Sequence, residues 1–228
     1  MVWRRGSVSR RYCCDVGRPG HESQSEQIVG VVLELLESQG YDAVQLREVA
    51  RRAHVSLATV YKWFPTRNEL IVAAVERWMA VNSYAAVAAP APEETLREGL
   101  TRLLHTVFEP WENNPRMLEA YYRARGGAGG QRLDVQGVEA ILPFANPLIE
   151  GADPCYVTDI GLVLSNMTYA LIGRFVDKSL DITEILPTLD RVIYRLTSDN
   201  AQDATAARGA AARGASFDPA LAAPFDRR

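Results

Sequence analysis

Five side chains between positions 56 and 63 have the sizes and hydrogen-bonding groups needed to read a DNA groove. At 100° per residue they share one face of a short predicted helix: Ser56, Ala58, Thr59, Lys62 and Trp63. The two small residues allow close approach to a major groove, which is about 12 Å wide. Thr59 can bond a base edge or touch a thymine methyl group, Lys62 can reach guanine or a phosphate, and Trp63 can lie along the sugar-phosphate wall. We therefore predict that this face contacts double-stranded DNA.

The charge of the chain is distributed in a way that favours a phosphate-binding surface. Residues 45–67 carry five basic side chains against one acidic side chain, and residues 1–22 carry five against two. The whole chain nevertheless has a net charge of -3, so the other residues are strongly acidic. A basic patch on an acidic body is typical of proteins that bind nucleic acid. Residues 1–22 are predicted to be a basic flexible arm, for which a solvated charged surface is the simpler interpretation.

Short helices joined by a tight turn must position these side chains. Apolar spacing predicts a first helix over 28–36, a second over 46–53 and a third over 57–64, whose apolar stripe includes Tyr61. The third helix ends at Pro65, because the residue before a proline avoids helical geometry. Thr66 can cap a fourth helix that continues to about residue 89. Residues 23–70 are therefore predicted to form a three-helix helix-turn-helix domain.

The stretch GYDAVQLREVARRAHVSLATVYKWFPTRNELI, from Gly40 to Ile71, resembles the DNA-binding domain of TetR-family transcriptional regulators. The shared pattern has a glycine-aromatic pair, a polar start to the second helix, an apolar-alanine pair, a Val-Ser opening of the third helix, and Tyr-x-x-Phe before a basic residue. In this sequence these positions are Gly40-Tyr41, Gln45, Val49-Ala50, Val55-Ser56, Tyr61, Phe64 and Arg67.

The resemblance implies roles for particular side chains. Tyr61 and Arg67 would contact phosphates, and Arg47 together with the third helix would contact bases. Gln45 stands where the family usually has threonine, and its amide can still meet a phosphate. A core position for Tyr61 is an equally good interpretation, and both can be true. The family's usual turn glycine is here His54, so this backbone must adopt a conformation that histidine tolerates.

Beyond the helix-turn-helix, proline-punctuated helical patterns predict an all-α protein of about nine helices. Further helices are expected over 93–108, 115–125, 135–149, 154–178 and 181–198, followed by a disordered tail over 199–228. The family resemblance implies that residues 71–198 form a helical domain for ligand binding and dimerisation. The residues YDAVQ and VYKWFPTR most resemble those of actinobacterial family members that control lipid and sterol catabolism. This resemblance implies an acyl- or steroid-CoA effector.

An aromatic and methionine cluster is the candidate effector site. Its members are Phe108, Trp111, Met117, Tyr121, Tyr122, Asn166 and Tyr169. Apolar walls with a few polar groups are typical of small-molecule pockets, although plain core packing explains each residue as well. Asn166 is expected to be a buried amide on the eighth helix that a ligand carbonyl or hydroxyl could satisfy. The alternative is that this amide bonds its helical neighbours or a partner subunit.

A homodimer through helices eight and nine is expected, because both carry more apolar residues than one core-facing side needs. These residues are Val157, Ile160, Leu164, Leu171, Phe175, Ile185, Leu186, Leu189, Ile193 and Leu196. A two-fold dimer would present two recognition helices to a palindromic operator.

Several function classes are disfavoured by the sequence. The chain has three cysteines, and neither these nor its three histidines have the spacing of a metal site. We recognise no catalytic triad, paired catalytic carboxylates or phosphate-binding loop, so no cofactor and no enzyme activity are expected. The uncharged stretch 160–173 is shorter than the roughly 20 residues of a membrane span. We expect a cytoplasmic repressor; the alternative is an all-helical enzyme or protein-interaction module that does not act on DNA.

Overall fold

Helices make up most of the described part of the chain. The computed structural model describes residues 24–199, so the predicted basic arm and nearly all of the predicted tail lie outside the described residues. The all-α fold with about nine helices is confirmed: residues 24–199 contain no strand. The helices are α1 Gln24–Gln39, α2 Leu46–Arg52, α3 Leu57–Trp63, α4 Arg67–Trp78, α5 Leu96–Glu112, α6 Pro115–Arg125, α7 Gln131–Ala145, α8 Pro154–Val176 and α9 Ile185–Leu196.

The first three helices pack around a small apolar core. Ile28, Val32 and Leu35 of α1 are fully buried, as are Val49 of α2 and Val60 of α3. A 3₁₀ turn, Tyr41–Ala43, connects α1 to the N-terminus of α2. This arrangement places α2 and α3 side by side at one end of the molecule, with α1 behind them.

The fourth helix starts where predicted but ends earlier. Thr66 and Glu69 form a reciprocal capping box at the N-terminus of α4. The helix was expected to reach about residue 89. Instead α4 ends at Trp78, and the chain continues directly as a π-helical segment, Met79–Ser83. Trp78 and Met79 are both buried. The change from α-helical to π-helical pitch therefore occurs where the chain is tightly packed, and not at a break in the apolar spacing.

Helices α5, α6 and α7 form the middle of the body. A second capping box, Thr95 with Glu98, starts α5 two to three residues later than predicted, and the helix continues through Pro110 to Glu112. The bounds predicted for α6 are confirmed. The seventh helix begins at Gln131, earlier than the predicted residue 135, and contains Pro143. It ends in a 3₁₀ turn, Asn146–Leu148, at the second proline.

The last two helices bury different fractions of their apolar residues. On α9 the predicted interface residues Ile185, Leu186, Leu189 and Ile193 are buried inside this chain's own core, and on α8 so are Ile160, Leu171 and Phe175. These seven side chains are therefore inaccessible to a partner in the single chain, whereas Val157, Leu164 and Leu196 are half-buried. A dimer through α8 and α9 remains a prediction.

The exposed apolar side chains of these two helices are others. Leu162 and Val163 of α8 and Tyr194 of α9 reach solvent. By length and composition alone, α8 could cross a membrane, since it has 23 residues with a mean hydropathy of 1.3. The prediction from the uncharged stretch 160–173 underestimated the length of this apolar helix, because α8 continues past Asp159 at one end of the stretch and past Arg174 at the other.

Candidate DNA-binding face and effector region

The face predicted to contact DNA is exposed on α3. Ala58 and Lys62 are exposed, and Trp63 keeps 47% of its surface accessible. The Lys62 ammonium lies 5.9 Å from the centroid of the Trp63 ring, so the two side chains share one patch. Tyr61 is 49% exposed, although the apolar spacing had placed it with the core stripe. The fully buried Val60 anchors the opposite side of the helix.

Ser56 and Thr59 are engaged with each other at the start of α3. The Ser56 hydroxyl accepts a hydrogen bond from the Thr59 backbone N–H at 3.0 Å and so caps the helix. The two hydroxyl oxygens are 2.8 Å apart, within hydrogen-bond distance. Thr59 is half-buried, so its methyl and hydroxyl groups are held in place rather than free to rotate. A contact from Thr59 to a base would therefore be made by a pre-oriented side chain.

The turn before α3 needs a left-handed backbone, and histidine supplies it. His54 has φ of 52°, in the region that glycine usually occupies and that histidine tolerates better than most residues. The Val55 N–H donates to the Ala50 carbonyl at 3.0 Å, which closes the turn between α2 and α3. The expected conformational requirement at position 54 is thus confirmed.

The basic residues of α2 differ in their availability. Arg51 and Arg52 both bond the Glu48 carboxylate, at 2.7 and 2.6 Å, and these bonds lower the pKa of Glu48 to about 2. Arg47 lies on the exposed side of the same helix. Gln45, also exposed, is the N-cap residue of α2, but its amide donates to the Asp42 carbonyl at 3.0 Å instead of capping the helix. The Gln45 side chain therefore does not cap the first turn of α2.

Arg67 is directed towards its own domain. Its guanidinium donates hydrogen bonds to the carbonyl oxygens of Tyr41 and Val44, and it lies 4.3 Å from the centroid of the Tyr41 ring. Two of its N–H groups are used in this way, so a phosphate contact would have to come from the remaining ones. Sequence patterns do not indicate these contacts, because they join residues more than twenty positions apart.

The residues of the predicted effector cluster are largely packed against one another. Phe108, Trp111 and Met117 are buried. Trp111 lies between two other rings, with its centroid 4.3 Å from Trp78 and 5.4 Å from Tyr121. Burial, the largest influence, raises the pKa of Tyr121 to about 12.

A second aromatic pair connects α6 to α8. Tyr122 and Tyr169 stack with centroids 5.2 Å apart, and the Arg125 guanidinium lies 4.0 Å from the Tyr169 ring. Arg125 is in turn paired with Asp134 of α7. The structure thus brings together six of the seven predicted residues in the region of α5, α6 and α8.

Asn166 is the exception, and the expectation that it is buried is wrong. Its side chain is exposed, and its amide donates to the Leu162 carbonyl one turn earlier at 2.8 Å. A polar residue on a predominantly apolar helix looked buried because α8 was assumed to be covered on more of its surface. The bond to a helical neighbour is the alternative that the sequence had left open.

Two surface clefts and two buried oxygens without a hydrogen-bond partner lie elsewhere in the described residues. One cleft, of about 290 Å³, lies between the end of α3, α4 and Arg132; the other, of about 560 Å³, lies beside Phe175 and residues 178–184. Neither cleft is lined by a residue of the predicted effector cluster. Within residues 24–199, the buried oxygens Ser83 Oγ and Gln136 Oε1 have no hydrogen-bond partner. Sequence reasoning had singled out neither residue.

Comparisons with known proteins agree with this architecture. Residues 28–74 match the family model described as bacterial regulatory proteins, tetR family, and residues 94–196 match that of the tetracyclin repressor-like C-terminal domain.

Relatives match over most of the chain as well. The HTH-type transcriptional repressor KstR of Mycolicibacterium smegmatis is 26% identical over 196 residues, covering 82% of this chain and 94% of the relative. KstR of Mycobacterium tuberculosis is 26% identical over 192 residues, covering 81% and 86% of the two chains. The crystal structure of a TetR transcriptional regulator from Rhodococcus sp. RHA1 has a TM-score of 0.62 at 18% identity, covering 78% of this chain and 97% of the other.

Proposed function

The chain belongs to the TetR family of bacterial transcriptional regulators, and from this membership we infer that it is a ligand-responsive repressor that binds a palindromic operator. The exposed face of α3, with Lys62 and Trp63 at its centre, is the observation that carries this inference. Trp63 is half-exposed beside Lys62, on the side of α3 opposite the buried Val60. This arrangement is suited to a DNA groove and its phosphate wall. We infer a cytoplasmic location, since the operator is DNA.

The proposed DNA contacts fall into two groups. Arg47, Ala58, Thr59 and Lys62 are assigned to base edges, because they lie on or beside the recognition helix. Gln45, Ser56, Tyr61, Trp63 and Arg67 are assigned to the sugar-phosphate backbone. For Arg67 this assignment concerns only the N–H groups that its bonds to Tyr41 and Val44 leave over.

Binding to duplex DNA selected from a random pool tests the proposal. Lys62→Ala should weaken binding to the selected duplex, and a fall of about 1 in the slope of log affinity against log salt would mean that Lys62 meets a phosphate and not a base edge. Arg47→Ala and Thr59→Val should change which duplexes are selected. Arg77→Ala is the matched control, since Arg77 is exposed near the other end of α4. Equal losses in Lys62→Ala and Arg77→Ala would contradict the assignment of the α3 face.

The proposed effector is a mainly apolar small molecule, an acyl or steroid thioester in the first instance. The ring cluster of Trp111, Tyr121, Tyr122 and Tyr169 supports an apolar ligand with flat groups. The described cluster is closely packed, so binding would favour a rearranged body with recognition helices out of groove spacing. A tenfold loss of DNA affinity needs only about 1.4 kcal/mol of differential binding.

Thermal stabilisation by defined compounds tests the effector. Long-chain acyl and steroid thioesters should raise the melting temperature and release the selected duplex, and Tyr122→Leu should reduce both effects. Val138→Ala is the control, because Val138 is exposed on α7 and belongs neither to the ring cluster nor to the proposed dimer surface. Unchanged melting with all of these thioesters would contradict the proposed ligand class without affecting the DNA-binding proposal.

We also propose that the regulator is a homodimer through α8 and α9, built from the accessible residues of these helices and not from the seven predicted residues that are buried in the protomer. Leu162 and Val163 of α8 are apolar and exposed, and Tyr156 connects α8 to α9 through a hydrogen bond from its hydroxyl to the Leu196 carbonyl at 2.9 Å. Exposed apolar residues on adjacent helices are typical of an association surface.

A further inference from the structure

The turn between α1 and α2 is held by arginines from two other helices. The Tyr41 ring lies 4.3 Å from the Arg67 guanidinium of α4 and 4.0 Å from the Arg123 guanidinium of α6. Such distances allow cation–π attraction between each guanidinium and the ring. One aromatic side chain of the DNA-binding domain is thus in contact with the helix that follows the recognition helix and with a helix of the body.

Asp42, the next residue of the turn, binds one of these arginines directly. Both Asp42 carboxylate oxygens accept hydrogen bonds from Arg123, at 2.8 and 2.9 Å, in the two-pronged geometry that fixes orientation as well as distance. The bonds from Arg123 are the main reason that the pKa of Asp42 is lowered. Arg123 is itself oriented by Glu119, one turn earlier on α6, at 3.3 Å. The carboxylate also compensates the positive charge of the nearby Arg67.

The same turn determines how α2 begins. Asp42 accepts a hydrogen bond from the Gln45 side chain through its backbone carbonyl, and Arg67 binds the carbonyls of Tyr41 and Val44. Gln45 is the N-cap residue of α2, and Arg47 lies in the first turn of that helix. A displacement of the turn would therefore move the two α2 side chains that face the proposed DNA site.

We propose that Arg123 is a positioning residue for DNA binding: from α6 it holds the Tyr41–Ala43 turn and thereby sets the position of Gln45 and Arg47 on α2. This inference rests on the proposed DNA-binding function. Arg123 and Asp42 are 81 positions apart in the sequence, so the connection joins the body to the DNA-binding domain directly and does not pass along α4. A rearrangement of α6, which also carries Tyr121 and Tyr122, would reach α2 by this contact.

The experiment compares operator affinity in single and double variants of the full chain. Arg123→Ala should weaken binding to the selected duplex about two- to fivefold, the range that an exposed ion pair can account for. It should leave the salt slope unchanged, because Arg123 is not proposed to touch a phosphate. Asp42→Asn should give a smaller loss of the same kind, and Arg123→Lys should not restore the wild-type value, because an ammonium cannot bind both oxygens in the same fork.

A double-mutant cycle with Arg47 separates positioning from general weakening. If Arg123 acts by placing Arg47, the loss caused by Arg123→Ala should largely disappear in an Arg47→Ala background. Arg116→Ala is the matched control, since Arg116 also lies on α6 but donates to the Glu37 and Ser38 carbonyls of α1. Its effect should persist unchanged in the Arg47→Ala background.

The outcomes distinguish this inference from the DNA-binding proposal. Additive losses in Arg123→Ala and Arg47→Ala, a salt slope lowered by about 1, or full affinity in Arg123→Ala would overturn the positioning role. Melting temperatures of all variants are compared at the same time, and a loss of affinity explained entirely by unfolding of Arg123→Ala would also overturn it. Failure of the wild-type chain to select any duplex would instead refute the proposed function.

Discussion

At the scale of single residues, the hydrogen bonds that Arg67 makes within its own domain limit what it can offer to DNA. Its guanidinium satisfies the carbonyls of Tyr41 and Val44 and lies against an aromatic ring. The TetR-like sequence pattern identifies Arg67 as a basic residue at the start of α4, which is correct. The pattern cannot show that these hydrogen bonds close the turn before α2, because that depends on how α1, α2 and α4 pack.

Arg67→Ala should therefore destabilise the protein. We expect the free energy of unfolding to fall by roughly 1–3 kcal/mol, because two carbonyl oxygens in a partly buried turn lose their donor. Urea unfolding followed by circular dichroism measures this change. Arg77→Ala on the same helix serves as the control and should change the free energy by less than about 0.5 kcal/mol. An unfolding curve for Arg67→Ala that superimposes on the wild-type curve would show that these bonds contribute nothing to stability.

His105 provides a second prediction at this scale, for the dependence of stability on pH. Its two ring nitrogens face the Asp190 carboxylate of α9 at 2.9 Å and the Glu109 carboxylate of α5 at 3.2 Å. The bond to Asp190 is the main cause of a raised pKa for His105, with Glu109 contributing and burial opposing it. Glu112 also lies close enough to interact electrostatically with this histidine.

A raised pKa in the folded state means that protonation stabilises the fold. This stabilisation is fully present below the unfolded-state pKa of about 6.5 and is lost as the pH rises through the folded-state value. Its size should be less than about 1 kcal/mol, because the ring and its partner are each a third exposed. Melting temperatures of wild type and His105→Gln should therefore converge between about pH 6 and pH 8. A constant difference across this range would exclude the mechanism.

At the scale of elements, helix starts marked by a capping residue or a proline in the first turn were easier to predict than the other helix bounds and the loops. Thr66 was correctly predicted to cap α4, because capping chemistry is local. The Asn-Pro start of α6 was also correct, although the Asn114 side chain donates to the Pro110 carbonyl and does not cap the helix. The end of α4 at Trp78 was not predictable from spacing, since the apolar pattern continues into the π-helical segment. The glycine-rich loop at 126–130, GGAGG, has the composition of a flexible loop, but a run of glycines can equally mark a close approach of two elements, as it does here.

The α6–α7 loop is tight because the Asn68 side chain of α4 occupies the space beside Gly127. The Asn68 amide donates to the carbonyl oxygens of Ala124 and Ala128 at 2.9 and 2.8 Å. A Cβ atom at position 127 would lie 2.5 Å from the amide nitrogen of Asn68. Gly127→Ala should displace this amide and lower the free energy of unfolding by roughly 1–3 kcal/mol, the value of two hydrogen bonds.

Gly126→Ala is the matched control for this prediction. The nearest atom to a Cβ at position 126 would be 3.9 Å away, which is an ordinary contact, and the backbone there is right-handed helical. Urea unfolding of the two variants should therefore separate the close approach from the general cost of replacing glycine in the loop. Equal stability of Gly126→Ala and Gly127→Ala would show that the Asn68 bonds are unimportant.

At the scale of the whole molecule, the division into a helix-turn-helix and a helical body could be predicted, and the surface that joins two copies could not be predicted in detail. Apolar composition indicated α8 and α9, but composition does not show which side of a helix its own chain covers. Ile185, Leu186, Leu189 and Ile193 of α9 are buried within the protomer, whereas Leu162 and Val163 of α8 and Tyr194 of α9 remain exposed. The effector cluster shows the same limit, since Asn166 lies on the uncovered side of α8.

The exposed side of α8 yields the last prediction, on assembly. Leu162 keeps 60% of its surface accessible in the single chain, so Leu162→Glu should leave the fold of the protomer intact. In the proposed dimer the same change buries a charge on each side of a two-fold axis, which should raise the dissociation constant about tenfold or more. Val138→Glu is the matched control, because Val138 is 56% exposed on α7, outside the proposed interface. Sedimentation velocity at micromolar concentration should show monomers for Leu162→Glu alone, together with weaker binding to a palindromic duplex but not to a single half-site. A Leu162→Glu protein that sediments as a dimer, or monomers in both variants, would place the interface elsewhere.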